Sequence, residues 1–253
     1  MGGSRLSKNM SASSISILYC RQISALINAN PYFSPIWGLS PVEGMASKFV
    51  HSTYCTNDII VMSMGKTGYG KSTTLNKIIG FNAFKSSDVE ACTESLQSAD
   101  FTLFSNTKEH SLSFVDGPGF GENVKADSLY RKMYEAAIPK AHVILYFLRA
   151  DQRDFSVDQE LFNSLFDKSL RERVVIVLNA IDKVEPVDRD VSDWLTHAQK
   201  ESLSYKLFQL RLKFPNIPIF PISATESYGI DALSDGIVAK LIRFFECEND
   251  CSS

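Results

Sequence analysis

Residues 58–79 read DIIVMSMGKTGYGKSTTLNKII, and this stretch decides the fold. A largely apolar run leads into Gly65-Lys66-Thr67-Gly68-Tyr69-Gly70-Lys71-Ser72, and a helix-forming segment follows. The phosphate-loop pattern G-x-x-x-x-G-K-[ST] thus stands in the context it needs, between a buried strand and a helix. Backbone N–H groups must turn inward around a phosphate there, and glycines allow an approach that a Cβ would block. Lys71 supplies a point charge, the start of the helix adds the positive end of its dipole, and Ser72 offers a hydroxyl to Mg²⁺. The expected ligand is a nucleoside triphosphate, contacted by Gly65, Lys66, Thr67, Gly68, Tyr69, Gly70, Lys71, Ser72 and Thr73.

Outward from this loop, strands and helices alternate. Strands are expected at 58–64, 98–104, 110–115, 142–148, 173–178 and 217–222, and helices at 71–79, 127–138, 157–167, 190–213 and 230–246. The fifth strand, RVVIVL, is almost wholly apolar, as a strand covered on both faces must be. The second and third strands are separated only by the polar link 105–109, so they should pair as a hairpin. The pattern predicts an α/β fold of three layers: a mostly parallel six-stranded sheet with one antiparallel edge strand and helices on both faces. The nucleotide-binding domain is drawn at 57–247, between an N-terminal extension, 1–56, and a short tail, 248–253.

Three further motifs lie at predicted strand ends, where an open α/β sheet contacts its ligand. Asp116-Gly117-Pro118-Gly119 follows the third strand; its carboxylate can hold Mg²⁺ through water, and Gly119 can offer an N–H to a γ-phosphate. Asn179-Ala180-Ile181-Asp182 follows the fifth. An Asp there can accept from both N1–H and the 2-amino group of guanine, a donor pair that adenine lacks. Ser223-Ala224-Thr225 follows the sixth and can bring a backbone N–H to the guanine O6. Each motif alone also reads as a turn or a helix cap. An ATP-using enzyme would require the Asn179/Asp182 pair to be coincidental.

In this order the four motifs resemble the Era-like P-loop GTPases. The segments HVILYFLRADQRDFSVDQELF and VVIVLNAIDKVEPVDRDVSDW are similar to the YfjP-like small bacterial GTPases, the 50S ribosome-binding GTPase group. The resemblance covers roughly residues 55 to 245. It implies GTP and GDP as ligands, Mg²⁺ as cofactor, slow hydrolysis and a switch between two states. On that resemblance Lys71, Thr93 and Gly119 are the catalytic set, with Thr93 closing on the metal as the first switch. Ser72, Thr93 and Asp116 are the metal set, and Asn179, Asp182, Ser223 and Ala224 hold the base. A protein or ribosomal partner and a nucleotide-dependent homodimer are the associations it leaves open.

The sequence also departs from that pattern. Ala180 stands where the base motif usually has lysine. Phe120 stands where Ras-type enzymes place a water-orienting glutamine, so intrinsic hydrolysis should be slow unless another group completes the site. This leaves open a second reading, a GTP-binding scaffold or assembly module with negligible hydrolysis. Gly68 replaces an asparagine that helps bind K⁺ in many relatives, so little K⁺ stimulation is expected. Arg149 and Arg153 could reach across a dimer, but pairing with Asp151 or Asp154 is the favoured reading.

Composition adds limits. The 253 residues suit one main domain, and 44% hydrophobic with 22% charged residues is ordinary for a soluble protein. A net charge of −3 gives no reason to expect DNA as a ligand. No apolar run reaches the roughly 18 residues of a membrane span. Five scattered cysteines, Cys20, Cys55, Cys92, Cys247 and Cys251, argue against a disulfide framework and fit a reducing, cytoplasmic setting. Residues 1–56 are rich in Ser and lack acidic residues before Glu43, with apolar residues near helical spacing over 13–29. This extension resembles a transit peptide, but a flexible tail with a helix docked on the domain is favoured because Arg21 interrupts the apolar stretch.

Overall fold

A computed structural model describes residues 58–85, 95–105, 108–186 and 194–250. The N-terminal extension, its expected helix and Thr93 lie outside the described residues. Strand β1 (Asp58–Gly65) leads through the phosphate loop into helix α1 (Lys71–Ile79). The hairpin β2 (Gln97–Ser105) and β3 (Lys108–Asp116) comes next, followed by α2 (Val124–Ala137) and β4 (Val143–Arg149). Then come α3 (Ser156–Leu165), the single turn α4 (Lys168–Arg171), β5 (Val174–Asn179), α5 (His197–Lys213), β6 (Ile219–Pro221) and α6 (Ile230–Asp250).

The sheet order is β2-β3-β1-β4-β5-β6. Every neighbouring pair is parallel except β2 and β3, whose antiparallel register runs from Gln97↔Asp116 to Ser105↔Lys108. The six-stranded sheet with one antiparallel edge strand is therefore as expected. β1 lies between β3 and β4, so the chain leaves the phosphate loop at the point where strand order reverses, the usual site of a ligand crevice.

Alternation along the strands gives the sheet two apolar faces. Met62, Met64, Ile144, Tyr146, Leu148, Ile176 and Leu178 point toward α2, α3 and α5, whose Tyr134, Phe162 and Leu210 complete that layer. Val61, Phe114, Leu145, Phe147, Val175 and Val177 point the other way, against Leu75 and Ile79 of α1 and Leu233 and Ile237 of α6. Every residue of β5 is buried, and its five apolar side chains contribute about 1.5–3 kcal/mol each.

The helix bounds depart from expectation most at the start of α5 and the end of α6, while α2 begins three residues early, at Val124. α5 begins at His197 rather than 190, because Thr196 accepts from the Gln199 N–H and the Gln199 side chain accepts from the Thr196 N–H, a reciprocal cap that fixes the first turn. Trp194 therefore lies outside the helix and stacks on Tyr228 with ring centroids 3.9 Å apart. α6 runs on to Asp250, past the boundary drawn at 247. Among the described residues no helix is long and apolar enough to cross a membrane.

One partly buried contact carries a pH dependence. The Ile60 N–H donates to His142 Nδ1 at 3.0 Å, which requires a neutral imidazole, and burial with the nearby Arg173 guanidinium pulls its pKa down to about 4. The unfolded chain takes up that proton below about pH 6.5 while the folded chain does not. The stabilisation is thus fully present above pH 6.5 and is lost as pH falls toward 4. Wild type should lose about 1 kcal/mol more than His142→Asn between pH 7.5 and 5.0 in urea unfolding, a figure discounted for the partial exposure of the ring. Equal losses would remove His142 from the account.

Candidate functional site

The four motifs meet at the C-terminal edge of the sheet: Gly65 ends β1, Asp116 ends β3, Asn179 ends β5, and Ser223 follows β6. Helix α1 starts at Lys71 behind Gly70 (φ 81°), with no side chain capping its first turn and no acidic residue in it. In contrast, Asn123 caps α2 and Asp167 caps α4. The open N–H groups and the dipole of α1 therefore point at the same anion site. A Cβ at Gly70 would collide with Asn179 Nδ2, so glycine here is a requirement of close packing as well as of backbone angle. Thr73 is the third residue of α1 and half-buried.

Lys71 is buried, and its Nζ donates to the Lys66 carbonyl at 3.1 Å. Burial lowers its pKa to about 8, against an opposing pull from Asp116 and Glu122. A bound polyphosphate would add counter-charge to this desolvated ammonium.

Beside it, Ser72 Oγ donates to Asp116 Oδ2 at 2.5 Å, and Ser63 Oγ donates to Asp116 Oδ1 at 2.7 Å. Asp116 is fully buried. One hydroxyl and one carboxylate, hard oxygen donors at the mouth of an anion loop, suit Mg²⁺, which keeps several waters and takes few protein ligands. No cluster of three or more His, Cys, Asp or Glu able to hold a metal by themselves occurs among the described residues.

The base end is organised by Asn179. Its Nδ2 donates to the Tyr69 carbonyl at 3.0 Å and its Oδ1 accepts from the Ala224 N–H at 3.1 Å. The Ala224 N–H is thus engaged by Asn179 in this structure. Ser223 is buried and exchanges backbone hydrogen bonds with Tyr228. Asp182 sits in a short 3-10 turn, Ile181–Lys183, entered through Ala180 at φ 62°. Its Oδ1 is buried with no hydrogen-bond partner. A carboxylate oxygen desolvated without a donor is costly, a cost that N–H donors of a bound base would relieve.

The sequence did not reveal what lies behind the loop. Lys66 pairs with Asp158 Oδ2 at 3.1 Å, and Asp158, in the first turn of α3, is 1% exposed. Gln152 Nε2 donates to the same Oδ2 at 3.2 Å, while Gln152 Oε1 accepts from the Tyr69 hydroxyl at 2.7 Å. Arg149 binds Asp151 through Nε and Nη2 and reaches the Gly68 carbonyl at 3.2 Å, so the favoured pairing with Asp151 holds and a contact with the phosphate loop is added. In front, Phe120 is buried, stacks on Tyr134 with centroids 5.2 Å apart, and exchanges backbone bonds with Gly65 and Thr67. Thr67 Oγ1 donates to Glu122 at 3.1 Å.

Comparison with known proteins agrees with this fold. Residues 58–211, more than half of the chain, match the model of the AIG1 family. The chain is 27% identical over 210 residues to the uncharacterised protein YfjP of Escherichia coli, covering 83% of this chain and 69% of that protein. It is 28% identical over 185 residues to the GTPase Era of Aquifex aeolicus, covering 72% of this chain and 56% of Era. A structure of that Era in complex with GDP and aluminium fluoride superposes with a TM-score of 0.59 at 24% identity, over 73% of this chain and 57% of that one. Toc33 from Arabidopsis thaliana, with Mg²⁺ and GMPPNP, gives 0.55 at 17% identity, over 74% and 85%. The chain thus spans between about half and two thirds of the length of the relatives matched in sequence, and the solved structures speak for the fold alone.

Proposed function

The chain belongs to the AIG1 family of P-loop GTPases, and on that footing we propose that it binds GTP and GDP, hydrolyses GTP slowly with Mg²⁺, and acts as a switch read by a partner. The observation that carries this reading is the buried, partnerless Oδ1 of Asp182, beside a loop that Asn179 ties to the phosphate site. Gly65 to Thr73 hold the phosphates, and Lys71 brings its charge to them. Ser72 and Asp116 would hold Mg²⁺, with Thr93 as the proposed first-switch ligand. Mg²⁺ held there would supply positive charge against the charge on the phosphate oxygens. Gly119 donates its N–H to the γ-phosphate, and Asp182 accepts from the guanine edge. A ribosomal or protein partner, or a second copy of the chain, reads the bound state in the cytoplasm.

Phe120 favours a second reading, a GTP-dependent assembly module without useful turnover. Its ring lies in apolar contact with Tyr134 and cannot orient water by hydrogen bonding. Single-turnover release of phosphate from GTP separates the two. Mg²⁺-dependent release above the uncatalysed rate, abolished in Ser72→Ala, supports the switch; tight GTP binding with no release supports the module. Binding of neither GTP nor GDP would overturn both.

A further inference from the structure

The backbone N–H groups between Asp116 and Gly121 are almost all occupied. Gly117 donates to Ser63 Oγ at 3.4 Å, Phe120 to the Gly65 carbonyl at 3.1 Å, and Gly121 to Asp127 Oδ1 at 2.9 Å. Pro118 has no N–H. Gly119 is buried, and its N–H has no acceptor among the described residues. An N–H without a protein acceptor there is available to a ligand, and Gly119 packs against the backbone of Thr67 in the phosphate loop.

The other end of that peptide is fixed. The Tyr134 hydroxyl donates to the Pro118 carbonyl at 2.7 Å, and Tyr134 is fully buried in α2. The carbonyl of Pro118 and the N–H of Gly119 belong to one planar unit and point in opposite directions across it. Gly117 leaves the space that the phenol needs, since a Cβ there would collide with the Tyr134 hydroxyl. The stack of Phe120 on Tyr134 anchors the next residue to the same ring.

We propose that Tyr134 is a positioning residue for γ-phosphate recognition: by holding the Pro118 carbonyl toward α2, its hydroxyl fixes the Pro118–Gly119 peptide with the Gly119 N–H directed away from the core. The orientation is set before nucleotide arrives, so the hydroxyl favours GTP over GDP and links α2 to the nucleotide state. Burial, with the nearby Asp116 charge, raises the Tyr134 pKa well above its ordinary value, so the hydroxyl remains a donor throughout the working pH range. The inference rests on the reading of Gly119 as a γ-phosphate donor.

Tyr134→Phe keeps the ring and removes only the donor. Affinities for GDP and GMPPNP should be measured on both proteins by competition against a fluorescent GDP analogue. The expected result is unchanged GDP affinity with a GMPPNP affinity about tenfold lower, as for a lost hydrogen bond to a charged group. Equal losses for both nucleotides, or no loss for either, would overturn the proposal while leaving the proposed function standing. A wild type that binds neither nucleotide would overturn the function itself. If the variant does not fold, 3-fluorotyrosine in the wild-type chain serves instead: a ¹⁹F resonance, assigned to Tyr134, that shifts differently with GMPPNP and GDP is expected, and identical shifts would overturn the proposal.

Discussion

Asp182→Asn is expected to move base preference from guanine to xanthine. The wild-type carboxylate has a buried oxygen with no partner, so the guanine N1–H and 2-amino group would each form a charge-assisted bond with it. At about 1.5–3 kcal/mol each, loss of the pair predicts a fall in GTP affinity of roughly a hundredfold or more. The Asn amide can instead donate to the 2-carbonyl of xanthine, so XTP should compete better against a fluorescent GDP analogue in the variant than in wild type. ATP should compete poorly in both. Unchanged GTP preference in the variant, or equal competition by ATP in wild type, would mean that Asp182 does not read the base.

The second large effect lies behind the phosphate loop. Asp158→Ala removes the counter-charge of Lys66 and an acceptor of Gln152, and breaking a buried pair costs about 3–5 kcal/mol. Lys66 retains some solvent contact, so a loss near the lower limit, about 3 kcal/mol, is expected, with a fall in Tm on the order of 6–12 °C. Nucleotide affinity should fall as well, because the Lys66 carbonyl holds the Lys71 ammonium. The double variant Lys66→Met/Asp158→Leu removes both charges and should recover most of the stability. A single variant within about 1 kcal/mol of wild type would show that the pair contributes little, as solvated pairs do.

The motifs were legible because phosphate and base recognition demand particular residues at short spacing beside apolar strands. The expected bounds of α1 and the pairing of β2 with β3 matched for the same reason: each rests on local signals, a glycine-rich turn before the helix and a short polar link. The start of α5 lies at His197 rather than 190 because the Thr196–Gln199 capping box, a local signal, fixes its first turn. The Lys66–Asp158 pair could not be read, since two charges in distant segments meet only once β1 and β4 lie side by side. The same holds for Tyr134, whose periodicity marks it as core while its hydroxyl serves a loop.

Asn179 would give the two halves of a bound nucleotide a common hinge pin. Its side chain grips the phosphate loop at Tyr69 and the base loop at Ala224 while its backbone ends the buried strand β5. Guanosine and pyrophosphate, added as separate molecules, should therefore help one another to bind, since whichever arrives first stiffens the support that the other needs. An intact nucleotide collects both contributions in one encounter, and a chain with Asn179→Ala should treat the two fragments as strangers.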